Sequence, residues 1–286
     1  MFGASSRLKA ETAALTLFAT TAGAPVAGGD GACDFSRHYA AEVGAASSAL
    51  SLGSIISDRA NASVDVSAVQ NLGGFGYLLA GVWSYSDIDN PYAHYRRAAF
   101  TENDPYLFWG CELPLCEGVG LDQRFGLIFI TQDGYRCEWS GENDVTYREW
   151  TYDGSLKNPW AEPYVQVRVG QRLGTYCKAG VCRRFALGRG FAVRPRVEFY
   201  GGSERWNLNR YGTLDSGGGP GCGFCAVSYG ARLTCALGCG WSVYCDLLGY
   251  DALTGGVRRR IDARRRDGAA TSADEFVFGL GFVFEY

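Results

Sequence analysis

No stretch of the chain approaches the roughly 20 consecutive apolar residues that a transmembrane helix requires, although hydrophobic residues make up 47% of its 286. That absence excludes a helical span and leaves strands open, because a barrel strand needs only about 10 residues with every second one apolar. Histidine is scarce: His38 and His94 are the only two. Neither has a serine or aspartate context suited to nucleophilic or general-acid chemistry, so no catalytic residue is assigned. The formal charge of -3 is too small to imply a nucleic-acid partner. Methionine occurs once, whereas glycine occurs 40 times and aromatics make up 14%. That balance suits many short strands, turns and aromatic girdles better than a helical enzyme.

The last thirteen residues run from Asp274 to Tyr286. Side chains alternate along a strand, so Phe276, Phe278, Leu280, Phe282, Phe284 and Tyr286 share one face. Val277, Gly279, Gly281, Val283 and Glu285 share the other. An aromatic stripe backed by small residues suits a strand with lipid on one side and a packed or wet lumen on the other. Upstream, alternation places eleven more strands at about 36–47, 60–70, 75–88, 105–115, 120–131, 143–152, 163–172, 175–187, 191–202, 223–237 and 241–252. The expectation is an all-β fold: a closed antiparallel up-and-down transmembrane β-barrel of about twelve strands, with ten as the alternative count. If the C-terminus lies on the inner side, the connections 89–104, 203–222 and 253–273 lie outside. Gly188-Arg189-Gly190 and Gly238-Cys239-Gly240 then form short inner turns. Long outer and short inner connections are the pattern of outer-membrane barrels. The inner connection 153–162 is expected to be longer than that pattern prefers.

Residues 1–27 have features of an export signal. Arg7 and Lys9 precede an apolar run at Ala13–Ala19, and Ala22, Ala24 and Ala27 are small, although Glu11 and Pro25 fit the pattern poorly. A disordered N-terminus is the alternative, and residues 28–286 are assigned to the barrel.

The segment Leu233–Leu247, followed by a loop and the aromatic final strand, resembles the last hairpin and closing strand of autotransporter-type barrels. Ending on the aromatic residue resembles the C-terminal insertion signal of bacterial outer-membrane β-barrels. The resemblance implies a location in the bacterial outer membrane. It also implies contact with outer-membrane lipid and lipopolysaccharide, and recognition of Phe276–Tyr286 by the barrel-assembly machinery. With no long passenger segment ahead of the barrel, it implies membrane assembly and not passenger export. The strand count also resembles that of small bacterial porins that pass acidic oligosaccharides.

If polar faces point inward, Arg124, Arg148, Arg168, Arg172, Arg184, Arg194, Arg196 and Arg232 line the lumen from the fifth to the tenth strand. Glu42, Asp65, Glu112, Asp122 and Asp246 line it from the remaining wall. An arginine wall facing a carboxylate wall is a selectivity device with a modest preference for anions. The alternative is that these charges pair and plug the bore. The functional expectation is a small porin-like channel with that anion preference; a plugged structural or adhesive barrel acting through its outer loops is the first alternative, and a secreted soluble β-sandwich the second. Arg258–Arg260 and Arg264–Arg266 form a basic run in the last loop, suited either to lipopolysaccharide phosphates or simply to solvent.

Eleven cysteines raise a metal or disulfide reading. Cys235, Cys239 and Cys245 share a parity with Leu233, Leu237 and Trp241, where cysteine acts as a small hydrophobe, so no metal and no cofactor are assigned. Cys177 with Cys182, and Cys222 with Cys225, are candidate disulfides near the outer loops.

Overall fold

The computed structural model describes residues 37–51, 54–57, 60–88, 102–132, 145–170, 174–211, 220–266 and 272–286. The expected leader at 1–27, Arg172 and His94 lie outside them. The strands are β1 (Arg37–Ala46), β2 (Ala49–Ser51), β3 (Ser54–Ser57), β4 (Asn61–Asn71), β5 (Tyr77–Asp87), β6 (Glu102–Cys116), β7 (Val119–Gln132), β8 (Val145–Lys157), β9 (Glu162–Gly170), β10 (Gly174–Cys182), β11 (Phe185–Gly188), β12 (Phe191–Gly202), β13 (Gly223–Gly238), β14 (Trp241–Ala252) and β15 (Asp274–Glu285). Two helices interrupt the series, α1 (Glu204–Tyr211) after β12 and α2 (Gly255–Arg266) after β14.

Each long strand pairs antiparallel with its sequence neighbour, β15 pairs with β1, and β10 pairs with β12. The ring is therefore closed, and no long edge is left to template aggregation or face lipid unpaired. It has twelve staves, because β10 and β11 are one stave with a gap. Cys182 opposes Arg196 and Phe185 opposes Val193, so the register runs unbroken across Arg183 and Arg184. The gap faces Pro195, which has no N–H to give to the ladder. The bond from Arg183 N–H to the Pro195 carbonyl, 3.3 Å, survives. The short β2–β3 hairpin stands apart as its own small sheet.

The two ends of the barrel differ. One carries tight turns and the C-terminus. There Arg189 and Gly190, and likewise Cys239 and Gly240, all have positive φ, between 51° and 81°. That is the two-residue turn whose twist matches a hairpin. The expected long connection at 153–162 is shorter than the sequence suggested. Asp153, Ser155 and Lys157 continue the alternation of β8, and the turn is confined to 158–161. Asn158 Oδ1 closes it by accepting from the backbone N–H groups of Trp160 and Ala161 at 2.9 and 3.0 Å. The opposite, loop end carries α1, α2 and the β2–β3 hairpin.

The exterior follows the alternation. Phe276, Phe278, Leu280 and Phe282 are exposed on β15, while Val277, Gly279, Gly281 and Val283 between them are buried. Val43, Val66, Val82, Leu107, Phe129, Trp150, Val169, Val197, Tyr229, Leu233 and Leu247 continue that apolar surface around the ring. An apolar exterior on a closed ring is the arrangement lipid requires.

Candidate functional site in the barrel interior

The inward faces supply both polar and apolar groups, side by side at several levels: Glu149 is the register partner of Ile128, and Arg168 that of Tyr176. Toward the loop end two apolar clusters occupy the interior. Leu79, Trp83 and Tyr85 of β5 pack with Tyr106 and Phe108 of β6 and with Ile128 and Ile130 of β7. Across the bore, Tyr176 of β10, Tyr200 of β12, Ala226 of β13, Leu248 and Tyr250 of β14 and Val277 of β15 pack with Trp206 of α1. The Trp206 and Tyr176 rings lie 5.1 Å apart. Ser203 seats α1 on β10: its Oγ accepts from the Thr175 N–H at 3.1 Å and its own N–H donates to the Thr175 carbonyl at 2.8 Å. Asn207 Nδ2 donates to the carbonyls of Gly202, Gly221 and Gly223. A third cluster, Val257 and Ile261 of α2 with Tyr211, Cys225, Ala252 and Ala273, continues the cap over the mouth.

Buried charges run the depth of the bore, from Glu102 and Asp104 at the loop end of β6 to Asp122 near the turns, and several form pairs. Arg168 Nη1 on β9 stands 3.6 Å from Glu149 Oε2 on β8, with side-chain exposures of 1% and 0%. Asp153 of β8 takes Arg124 of β7 at 3.9 Å and the Gln166 amide of β9 at 2.8 Å. Glu198 of β12 faces Lys178 of β10 at 3.8 Å and accepts from the Tyr164 and Tyr200 hydroxyls at 2.7 and 2.5 Å. Arg232 of β13 holds Asp246 of β14 through Nε and Nη2, at 3.0 and 2.5 Å, and reaches Glu42 of β1 at 3.4 Å. Asp65 of β4 accepts from Tyr106 at 2.9 Å. Nearer the turns, Lys157 bridges Glu112 and Asp122 at 3.3 and 3.8 Å, and Arg194 holds Glu162 at 3.0 Å.

Arg124, Arg168, Arg194, Arg196, Arg232, Glu42, Asp65, Asp122 and Asp246 therefore lie on the inner face. Arg196 is partly buried, on the same face of β12 as Arg194 and Glu198. Glu112 is exposed at the turn-end mouth. One placement differs from expectation. Arg148 is exposed and shares its face with Trp150, so it points outward from β8. Arg184 has the parity of Cys182 and falls opposite Arg194, exposed toward the turn end. The expected opposition of an arginine wall and a carboxylate wall is replaced by pairing between strands close in the ring. Lys157 and Arg194 each reach across one intervening strand, to Glu112 and Glu162, and Arg232 reaches across β14 and β15 to β1. Glu149, Asp153, Lys178, Glu198 and the luminal tyrosines were not anticipated. The parity of Trp150 and Tyr152 on β8 would have revealed Glu149 and Asp153, because aromatics toward lipid put their neighbours inside.

Cys177 and Cys182 sit on opposite faces of β10, about 16 Å apart along the strand. They cannot bridge, and the nine cysteines among the described residues, including Cys222 and Cys225, are free thiols. Cys235 and Cys245 are on the outer face, as their parity implies.

A closed twelve-stranded antiparallel ring with an apolar exterior and a polar, aromatic interior defines the class: a β-barrel of the outer-membrane kind. No family model and no curated protein matches the chain. Among solved structures it is similar to the KdgM porin at 7% identity and a TM-score of 0.44, over 86% of this chain and 98% of that one. It is similar to the translocator domain of the autotransporter NalP from Neisseria meningitidis at 10% identity and a TM-score of 0.41, over 89% and 90%. Salmonella typhi OmpF matches at 8% identity and a TM-score of 0.39, over 88% and 97%.

Proposed function

We propose that this chain is an integral, non-enzymatic protein of a bacterial outer membrane whose bore is closed by its own side chains and whose capped loop end is its working surface. One observation supports this above the rest. Ile128 and Ile130, on the inward face of β7, are each 0% exposed, whereas the walls of an aqueous conduit are wet. The buried pairing of Arg168 with Glu149 agrees, since a charge left in water needs no such partner. Planar-bilayer recording tests the reading: the purified barrel is expected to give no discrete conductance steps, and regular single-channel steps would overturn it.

A narrow anion-preferring channel is the second reading. Its support is the partial exposure of Arg194 and Arg196 toward the turn end. Reversal potentials in a salt gradient decide it, because charge reversal at Arg194 and Arg196 must then invert the ion preference.

A further inference from the structure

The basic helix α2 is fixed in place by groups other than its exposed arginines. Thr254 caps it, with Oγ1 accepting from the Val257 N–H at 3.2 Å. Val257 and Ile261, one turn apart, are buried against Tyr211, Cys225, Ala252 and Ala273. Arg258 clips the helix to the rim, donating to Asp251 of β14 at 3.1 Å and to Asp274 of β15 at 3.0 Å. Those two aspartates are register partners, and both have outward parity. Asp251 also accepts from the hydroxyl of Tyr229, which points outward from β13, at 2.9 Å.

This clip sets the level of α2. Asp274 lies two residues before Phe276, the first exposed aromatic of the apolar exterior on β15. The helix thus stands on the rim immediately above the lipid-facing surface of β13–β15. Its run contains six arginines and one acid, Asp262. Arg258 is engaged by aspartates. Arg259 and Arg266 are exposed, and seven residues place them on one helix face about 10 Å apart. Arg260 Nε is shielded from solvent and has no acceptor among the described residues.

We infer that α2 is a docking surface for phosphate-bearing lipid headgroups of the loop-side leaflet, with Arg259 and Arg266 as the contacting pair. The inference rests on the membrane reading above. Arginine forks suit phosphate oxygens. Two arginines seven residues apart, with about 10 Å between their backbone positions, offer two forks, enough for an extended headgroup bearing more than one anionic group.

The test uses the full chain, folded in detergent, titrated with lipid A and followed by intact-complex mass spectrometry. The R259Q/R266Q variant is expected to bind roughly ten- to thirtyfold more weakly, from the contribution of each basic residue near an anionic surface. R259K/R266K is expected to retain most of the affinity, and lipid stripped of phosphate to bind like the glutamine variant. Equal lipid A affinity of wild type and R259Q/R266Q would overturn the inference. So would equal affinity for the phosphate-free lipid, or displacement of lipid A by inorganic phosphate at matched concentration. Heat-modifiable mobility on the same sample separates the two failures. A chain without it fails the membrane reading before lipid is added, whereas a folded barrel lacking arginine dependence fails only this inference.

Discussion

The guanidinium of Arg232 lies over the ring of Tyr244, 3.7 Å from its centroid, while its edge grips Asp246 two residues farther along the same strand. Stacking fixes the plane of the fork, and Glu42 from β1 takes the other side. Removing the cation leaves two buried carboxylates facing each other. Arg232→Ala is therefore expected to lower the stability of the barrel by about 3–5 kcal/mol. Urea unfolding of the barrel in lipid vesicles, followed by tryptophan fluorescence, measures it. A loss under about 1 kcal/mol, the usual worth of a solvated ion pair, would show that the interior is wet.

Arg148 and Arg168 make a matched comparison, because sequence alone treats them alike. Arg148 is exposed near the loop end of β8, where an arginine on a lipid-facing surface costs only about 0–1 kcal/mol. Arg168 is enclosed with Glu149. Arg148→Leu should leave stability unchanged or slightly raised, whereas Arg168→Leu, which strands a buried carboxylate, should cost about 3–5 kcal/mol. The same unfolding assay checks both, and equal effects would contradict their placement on opposite faces.

That contrast also shows what was legible from the residues. Val165-Gln166-Val167-Arg168-Val169 alternates without interruption, so its faces and those of β4, β13, β14 and β15 can be assigned from period two alone. In β8, Arg148 follows Tyr147 and precedes Glu149, and a polar residue on each parity hides the phase until Trp150 and Tyr152 are counted. The helices α1 and α2 left little trace, because each is short and gains its order from a few apolar contacts with the barrel mouth, such as Trp206 and Ile261. Whether the bore is open depends on which side chains meet across it. Leu79 sharing a cluster with Ile128, or Trp206 packing on Tyr176, is a relation between distant segments that no local pattern encodes.

Glycine inside the strands makes room for aromatic rings. The Tyr106 ring crosses Gly81 on the neighbouring strand, and a Cβ at Gly81 would also lie 2.6 Å from the Val66 carbonyl oxygen. Gly81→Ala is expected to cost about 1–3 kcal/mol through overpacking. Because the Val66 carbonyl belongs to the backbone, adding Tyr106→Ala should not rescue it. A rescue would mean that the ring alone sets the constraint.

The cap is held chiefly by Trp206, which is almost fully enclosed among Tyr176, Tyr200 and Tyr250. Trp206→Ala removes most of that contact and is expected to cost the cap about 3–5 kcal/mol locally. The barrel staves do not depend on it, so heat-modifiable mobility should persist while cleavage near 203–222 by added protease accelerates. Unchanged cleavage would place the anchoring elsewhere, in Ser203 and Asn207.

Leu280 sits midway along β15, opposite Ala45 on one side and Cys245 on the other, and is half-exposed. In a water-soluble protein an exposed strand position away from special features tolerates arginine to within about 0.5 kcal/mol. In a barrel spanning a bilayer, the same substitution near the midplane costs about 2–4 kcal/mol. Leu280→Arg thus distinguishes the two surroundings at one residue without touching the interior, where Gly279 and Gly281 face. The expected outcome is the larger cost in lipid vesicles, with a smaller one in detergent micelles, where the charged end reaches water more easily. A near-zero cost in both would remove lipid from the outer face of β15, and with it the reason for its aromatic stripe.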